Sequence, residues 1–258
     1  MDLLDGKVCI VTGGTQGLGK GIALYLAQHG AKGLIICGRN MQNGKASAQE
    51  IREAGCACEY VRADLSVEAD CRQVVRRCDE TFGQIHGLVN AAGNTARGTL
   101  EDTTVALWDE IFAINVRAPF ILMQETAGIM KRDQQGGSMV NIISDTCYGG
   151  KPYITPYSAS KGALATLTKN VAHSLLHDRI RVNGINMGWT ATTQEHQNQK
   201  YMGEPDNWLE KADAAQSFGR LLRPLDIACL VAYLLSNQSE MMTGSLIDFD
   251  QKVMGAWD

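Results

Sequence analysis

The chain has 258 residues, of which 45% are hydrophobic and 20% charged, and its formal net charge is −4. This composition is typical of a globular protein, and the weak negative charge argues against nucleic acid or an anionic membrane surface as a partner. No apolar run approaches the ~18 residues of a membrane span, and the first residues lead into a strand rather than a signal peptide. None of the eight cysteines forms a C-x-x-C pair, so we expect reduced thiols, no metal site and a cytoplasmic location.

Apolar strand-like runs alternate with helix-like segments along the whole chain. The predicted strands are Val8–Thr12, Leu34–Cys37, Cys58–Arg62, Gly87–Asn90, Met139–Ser144, Val182–Asn186 and Ser245–Phe249. The predicted helices are Gly17–His29, Asn43–Ala54, Glu68–Phe82, Trp108–Met130, Tyr157–His177 and Pro224–Ser236. Several strands are continuous apolar runs, which favours a parallel sheet covered on both faces. The order predicts an α/β fold: one doubly wound Rossmann-type domain over residues 1–258, with a parallel seven-stranded sheet and helices on both faces.

The region 190–220 breaks the alternation of strands and helices. It opens with the polar stretch TATTQEHQNQK and follows the end of a predicted strand. A long connection at the end of a strand in a compact domain is often an active-site lid. We therefore expect residues 190–220 to cover the substrate.

A glycine-rich loop, TGGTQGLG at residues 12–19, stands between the first predicted strand and the first predicted helix. Glycines in this context allow a tight turn and let the backbone approach a pyrophosphate, which then sits at the helix N-terminus. The loop predicts a dinucleotide site formed by Gly13, Thr15, Gln16, Gly17, Leu18 and Gly19.

The residues at the end of the second predicted strand indicate which dinucleotide is bound. An acidic residue there would hold the free 2′-hydroxyl of NAD. This chain has Gly38, Arg39 and Asn40 instead. An arginine can pair with a 2′-phosphate, so NADP(H) is favoured over NAD(H), which stays possible.

Tyr157 and Lys161 lie four residues apart on a predicted helix, and Ser144 lies thirteen residues before the tyrosine. Residues four apart share a helix face. An ammonium group beside a phenol favours the phenolate and lowers a pKa that is ordinarily about 10. We interpret the pair as a general acid/base.

Taken together, these motifs resemble the short-chain dehydrogenase/reductase family. They occur in the family's order: the glycine loop, Asp64-Leu65, Asn90-Ala91-Ala92-Gly93, Asn115, Ser144, Tyr157-x-x-x-Lys161, and Arg181-Val182-Asn183 leading to Gly188 and Thr190. The resemblance covers nearly the whole chain. It implies an NAD(P)(H)-dependent interconversion of a secondary alcohol and a ketone. It also implies a homotetramer or homodimer that uses the long helices beginning near Trp108 and Tyr157.

The resemblance also implies residue roles. Tyr157 would exchange a proton with the substrate oxygen, Ser144 would orient that oxygen, Lys161 would hold the nicotinamide ribose, and Asn115 would hold a water that links Lys161 to bulk solvent. The implied further cofactor contacts are Asp64, Leu65, Asn90, Ala91, Gly93, Gly188 and Thr190.

The chain departs from the family pattern at two places. Met187 stands where a proline usually precedes the glycine, and Gln251-Lys252 replaces a usual pair of glycines. The first change puts the nicotinamide side of the site in question, because the missing proline loosens the turn. The second alters the end of the last strand.

The candidate substrate residues are polar. They are Ser144, Asp145, Tyr153 and Trp189, with Asn94, Thr95, Arg97, Cys147, Glu195, His196 and Gln197 as further candidates. A polar set favours a sugar or polyol over a steroid or long acyl chain. Two alternatives stay open. A 3-oxoacyl thioester reductase would need a basic patch, for which Arg97, Arg117 and Lys151 are the candidates. A non-catalytic NADP(H)-sensing protein would bind the cofactor without turnover.

Overall fold

A computed structural model of the protein describes residues 3–255. The ends of the predicted domain, residues 1–2 and 256–258, lie outside the described residues. The strands are β1 (Val8–Thr12), β2 (Gly33–Gly38), β3 (Ala57–Arg62), β4 (Gly87–Asn90), β5 (Gly137–Ile142), β6 (Ile180–Met187) and β7 (Leu246–Phe249). The α-helices are α1 (Gly17–Gln28), α2 (Met41–Glu53), α3 (Glu68–Phe82), α4 (Val105–Phe112), α5 (Ala118–Asp133), α6 (Thr155–Ser174), α7 (Thr193–Tyr201), α8 (Trp208–Ala214) and α9 (Pro224–Leu235).

The seven strands form one parallel sheet in the order β3-β2-β1-β4-β5-β6-β7. This confirms the predicted doubly wound, single-domain α/β fold. The chain order reverses between β1 and β4, because β1 pairs with β2 on one side and with β4 on the other. In open parallel sheets a ligand crevice forms at the carboxyl ends of the strands at such a reversal.

Both faces of the sheet are covered, which explains why the central strands read as unbroken apolar runs. Successive side chains of a strand point to opposite faces. Cys9 and Val11 of β1 accordingly join one buried cluster, and Val8 and Ile10 join the other. The first cluster packs against α1 and α9, and the second packs against α3 and α5.

Two features depart from the predicted elements. The single helix expected at 108–130 begins earlier, at Val105, and is interrupted by a π-helical turn over Ala113–Arg117. The 190–220 region contains α7 and α8, which were not predicted. Within residues 3–255 no helix has the length and apolar character needed to cross a membrane.

The contribution of the buried sheet to stability can be tested at Ile36, whose side chain is fully buried in β2. Ile36→Ala should lower the free energy of unfolding by roughly 2–5 kcal/mol, because it leaves a cavity in a packed core. Leu100→Ala is the control, since Leu100 is 82% exposed. This substitution should change the free energy of unfolding by less than about 0.5 kcal/mol. Urea denaturation measures both, and equal effects would contradict the assignment of the core.

Candidate active site

The glycine-rich loop lies between β1 and α1, at the reversal point of the sheet. Gly17 opens α1 with a φ of +53°, a left-handed conformation that favours glycine. A Cβ on Gly19 would lie 2.4 Å from the Gly13 carbonyl oxygen, so only glycine fits there. The first turn of α1 has neither a side-chain cap nor an acidic residue. Its free amides are therefore suited to bind an anionic phosphate group.

A cavity of about 550 Å³ extends from this loop across the carboxyl ends of the strands. Thirteen of the predicted cofactor-binding residues line it: Gly13, Thr15, Gln16, Gly17, Leu18, Gly19, Arg39, Asp64, Leu65, Ala91, Gly93, Tyr157 and Lys161. The substrate candidates Asn94 and Thr95 line it too. The cavity joins the glycine loop at one end to the tyrosine and lysine at the other. Its size and its glycine cradle fit a dinucleotide.

Four predicted cofactor contacts do not line this cavity. Asn40 instead caps α2, where its side chain accepts a hydrogen bond from the Asn43 amide at 2.9 Å. Asn90 is buried and donates to Asn141 Oδ1 at 2.8 Å. Gly188 packs against the side chain of Asp250. Thr190 is also buried and donates to the Gly188 carbonyl at 2.9 Å.

The end of the cavity near β2 and β3 carries one basic and one acidic side chain. Arg39 is exposed and Asp64 is half-buried. The Ser66 amide donates to Asp64 at 3.0 Å and the Ser66 hydroxyl at 2.8 Å. These bonds, with a smaller contribution from the Arg39 charge, hold the Asp64 pKa below its ordinary value. Arg39 therefore lies close enough to Asp64 for the two charges to interact.

Tyr157 and Ser144 meet at the other end of the cavity. Ser144 follows β5 and Tyr157 lies in the first turn of α6. Burial raises the pKa of the Tyr157 phenol to about 12, while a hydrogen bond with the Ser144 side chain opposes that rise. The expectation that Lys161 would bring about a low tyrosine pKa is wrong for this structure. Loss of water around the phenol outweighs the effect of nearby charges, and the phenol is protonated at neutral pH.

Lys161 is buried one turn after Tyr157. Its Nζ lies 5.7 Å from the centre of the Tyr157 ring and donates a hydrogen bond to the Ile142 carbonyl at 2.8 Å. Burial lowers the pKa of this ammonium group from 10.5 to about 8. Such a group can gain and lose a proton near neutral pH.

Asn115 lies in the π-helical turn that interrupts the long helix. Its Oδ1 accepts from the Asn94 amide at 2.8 Å, and its Nδ2 donates to the Asn94 carbonyl and to Ser160 Oγ, both at 3.0 Å. A Cβ on Gly93 would lie 3.6 Å from Asn115 Oδ1 and 3.8 Å from Lys161 Nζ. The turn thus brings Asn115 beside Lys161, a placement typical of π-helical turns at functional sites.

The predicted substrate residues surround the Tyr157 end of the cavity. Asp145 accepts a hydrogen bond from the Ser144 hydroxyl at 3.1 Å. Tyr153 lies under the Arg97 guanidinium, with 5.6 Å between Arg97 Cζ and the ring centre. Trp189 Nε1 donates to Glu195 Oε1 at 2.8 Å. None of the four predicted substrate residues lines the large cavity itself.

The residues that depart from the family pattern have definite contacts. Met187 lines the cavity. Gln251 Oε1 accepts from the Phe218 amide at 2.6 Å, and its Nε2 donates to the Arg220 carbonyl at 2.5 Å. Lys252 Nζ lies 3.9 Å from Asp145 Oδ2. The replacement of the glycines therefore links the last strand to the end of region 190–220 and to a candidate substrate residue.

Sequence reasoning missed Thr12, a positioning residue at the end of β1. Its hydroxyl oxygen accepts from the Ala91 and Ala92 amides at 3.0 and 3.1 Å, which fixes the loop after β4 against the glycine loop. A hydroxyl that ends a buried apolar strand was the available signal. Gln194 and Asn198 of α7 also line the cavity; they belong to the region 190–220 predicted as a lid, although neither was named as a candidate site residue.

Comparison with known proteins finds relatives along nearly the whole chain. A family model described as enoyl-(acyl carrier protein) reductase matches residues 13–251. The NADP-dependent (R)-specific alcohol dehydrogenase of Lentilactobacillus kefiri is 32% identical and covers 95% of this chain and 95% of its own. The 2-(S)-hydroxypropyl-CoM dehydrogenase 3 of Xanthobacter autotrophicus is also 32% identical, over 96% of each chain.

The fold has close counterparts among solved structures. The crystal structure of levodione reductase superposes with a TM-score of 0.89 at 28% identity, covering 96% of this chain and 97% of that one. Both the family match and the end-to-end alignment with these relatives confirm the resemblance in the sequence: the chain belongs to the short-chain dehydrogenase/reductase family and is an oxidoreductase.

Proposed function

We propose that this protein is an NAD(P)(H)-dependent oxidoreductase that interconverts a secondary alcohol and a ketone, with Tyr157 as the general acid/base. The observation that carries the proposal is the presence of Tyr157 and Lys161 at one end of a cavity whose other end is the glycine loop, with Ser144 beside the Tyr157 phenol. Because these parts are far apart in the sequence, their presence at one cavity supports a shared function.

The protonation states support a defined division of labour. Tyr157, held protonated at neutral pH by burial, donates a proton to a substrate carbonyl oxygen in the reductive direction. The Ser144 hydroxyl, which donates to Asp145 in the structure, turns to donate its one hydrogen bond to the same oxygen and orients it. Lys161, with a pKa of about 8, relays a proton between the tyrosine and solvent. The Asn115 side chain is hydrogen-bonded to the main chain of Asn94. Asn115 therefore contributes by holding the π-helical turn in place beside Lys161.

The residues present fit a nicotinamide dinucleotide. The pyrophosphate would lie on the first turn of α1, Asp64 and Leu65 beside the adenine, and Lys161 at the nicotinamide ribose. When bound, the nicotinamide supplies or accepts the hydride, while the chain supplies binding, orientation and proton transfer. Arg39 favours NADP(H), because an exposed guanidinium at the end of β2 suits a 2′-phosphate and β2 ends in no carboxylate.

The polar surroundings of Tyr157 support a sugar or polyol as the substrate. Asp145 and Arg97 supply a hydrogen-bond acceptor and donors on the substrate side of the phenol. By their names, two relatives are dehydrogenases of an alcohol and of a hydroxypropyl group. Residues 190–220 would act as the lid, since α7 contributes Gln194 and Asn198 to the cavity.

The 3-oxoacyl thioester alternative has weaker support, although the matching family model is described as an enoyl thioester reductase. Its basic patch would need Arg97, Arg117 and Lys151. Arg97 is paired with Glu195, Arg117 donates to the Ser66 carbonyl, and Lys151 lies over Tyr153. Arg97 and Lys151 share the Tyr153 ring, but the Arg97 charge is paired and Arg117 is engaged with the main chain, so the three do not present a free basic patch to an acidic carrier.

Self-association is a further part of the proposal. A groove between α4, α5 and α6 is lined by Phe112, Phe120 and Leu167. Phe120 and nearby Trp108 are 44% and 38% exposed. Large aromatic side chains are enriched at protein interfaces, so this face suits a dimer or tetramer.

The proposal is tested by assaying sugars, polyols, simple ketones and 3-oxoacyl thioesters with NADPH and NADH. Tyr157→Phe should lower kcat by roughly 10²- to 10⁴-fold, because the proton donor is lost, while NADPH binding is retained. Tyr233→Phe is the matched control and should keep turnover, since Tyr233 lies in α9 and does not line the cavity. NADPH binding without turnover by the wild type would favour the non-catalytic NADP(H) sensor. Equal turnover by Tyr157→Phe would contradict the role given to Tyr157.

The cofactor preference is tested at Arg39. Arg39→Leu should weaken NADPH binding by roughly 10- to 100-fold and leave NADH binding nearly unchanged, because a charged hydrogen bond to the 2′-phosphate is lost. Arg62→Leu is the control, since Arg62 is also exposed at the end of a strand but does not line the cavity. Calorimetric titration measures both affinities, and a wild-type preference for NADH would refute the argument.

The burial of Lys161 predicts a pH-dependent cost in stability. Below pH 8 the folded and unfolded chains both hold the Lys161 proton, and burying the charge lowers the free energy of unfolding by about 3 kcal/mol. Between pH 8 and 10.5 only the unfolded chain holds the proton, so the free energy of unfolding of the wild type rises with pH. Lys161→Met should therefore stabilise the protein at pH 7, and this advantage should shrink towards pH 10.

The control for this experiment is Lys169→Met, which removes an exposed lysine from the same helix. Urea denaturation at several pH values gives the free energies of unfolding. If Lys161→Met gave a constant difference from pH 7 to pH 10, the burial of a charged lysine would not be the cause.

A further inference from the structure

Arg97, in the segment between β4 and α4, is a cation with unused donors. Its Nε is buried and has no hydrogen-bond partner among residues 3–255. Its Nη2 lies 3.5 Å from Glu195 Oε2, which is an ion pair without a close hydrogen bond. A guanidinium has five N–H donors in a fixed planar fork. The Arg97 side chain as a whole is 24% exposed, so its Nη groups keep N–H donors for an acceptor on a ligand.

Glu195, the partner of Arg97, is held rigidly on α7. Its carboxylate accepts hydrogen bonds from Trp189 Nε1 at 2.8 Å, Gln199 Nε2 at 2.7 Å and Asn198 Nδ2 at 3.1 Å. Its side chain is only 13% exposed. Because these donors fix the carboxylate, Glu195 orients Arg97 and balances its charge without using up its donors.

The pair lies beside the cavity. Arg97 follows the cavity-lining residues Asn94, Thr95 and Ala96, and Glu195 lies between the cavity-lining residues Gln194 and Asn198. The charges of the pair also act on the Tyr157 phenol, together with that of Asp145. On this side each anion is paired with a cation: Glu195 with Arg97, and Asp145 with Lys252. A substrate carboxylate placed there would face both Asp145 and Glu195, and like charges at short range repel. Neutral hydroxyl groups meet no such penalty and satisfy the free donors of Arg97.

We propose that Arg97, balanced by Glu195, is a specificity-determining residue that donates hydrogen bonds to a hydroxyl oxygen of a neutral polyhydroxylated substrate and that the pair disfavours carboxylate-bearing analogues. This inference rests on the proposed function, because it concerns the substrate of the same site. Arg97 and Glu195, rather than Ser144, Tyr157 and Lys161, would then determine which polar substrates are accepted.

The test uses three four-carbon ketones: L-erythrulose, which carries hydroxyl groups, 2-butanone, which has none, and acetoacetate, which has a carboxylate. Each is assayed for kcat/KM with NADPH, and for binding to the Tyr157→Phe variant by the fluorescence of Trp189 and the other tryptophans. The wild type should prefer erythrulose over both other ketones, by at least roughly tenfold.

Arg97→Met should lower kcat/KM for erythrulose by roughly 10- to 100-fold, with a smaller effect on 2-butanone, because a charged hydrogen bond to hydroxyl is lost. Arg97→Lys should recover part of the loss. Glu195→Gln should lower the erythrulose-to-acetoacetate ratio by roughly tenfold, because it leaves the Arg97 charge unbalanced. Lys151→Met is the matched control: it removes a cation from over the same Tyr153 ring and should leave the ratios unchanged.

The outcomes separate this inference from the proposed function. If Tyr157→Phe abolishes ketone reduction but the Arg97 and Glu195 variants change all three ketones equally, the proposed function stands and the inference is wrong. If no wild-type preference for erythrulose is found in turnover or binding, the inference is also wrong. Thermal melting of each variant identifies effects that come from unfolding.

Discussion

The candidate site is organised around a buried ammonium group that forms no ion pair with a carboxylate of residues 3–255. Lys161 is 4% exposed, and its hydrogen bond goes to the main-chain carbonyl of Ile142. A single carbonyl dipole compensates only part of the loss of hydration, which is why the pKa of Lys161 falls. A protein under selection for stability alone would have no reason to keep this arrangement. The cost is understandable if the lysine serves a ligand and a proton path at the cavity.

The topology of the sheet brings the other parts of the site to this lysine. The glycine loop ends β1, Ser144 follows β5, and Tyr157 begins α6, so all three lie at the carboxyl edge of parallel strands. The π-helical turn adds Asn115 from the long helix pair α4 and α5. Each part is supplied by a different crossover, and the reversal at β1 and β4 leaves the space between them open.

Much of this arrangement was predictable from the sequence, because burial on both faces produces continuous apolar runs and a glycine loop has few other uses between a strand and a helix. The helices α7 and α8 were missed since α7 has a single buried residue, Gln199, and so lacks an apolar stripe. The π-helical turn was missed because AINVR has no composition that separates it from an α-helix. The cofactor contact of Asn40 stays a prediction: in the structure its side chain caps α2 and does not line the cavity.

The pKa of Tyr157 shows a different limit of sequence reasoning. Spacing places an ammonium group one turn from a phenol, but it says nothing about how much water either group loses. In the folded protein that loss is the largest contribution for both side chains. The direction of the shift therefore depends on packing from β5, α6 and region 190–220, which only the tertiary structure reveals.

Region 190–220 is closed at its base. Thr190 pairs with Leu222, the Ala191 amide donates to the Leu222 carbonyl at 2.9 Å, and the Leu222 amide donates to the Trp189 carbonyl at 3.1 Å. Because its entry and exit are joined to each other, the part between them can change in length or composition without displacing β6 or α9. Insertions in this loop after gene duplication would then reshape the mouth of the cavity and leave Tyr157 and Lys161 in place.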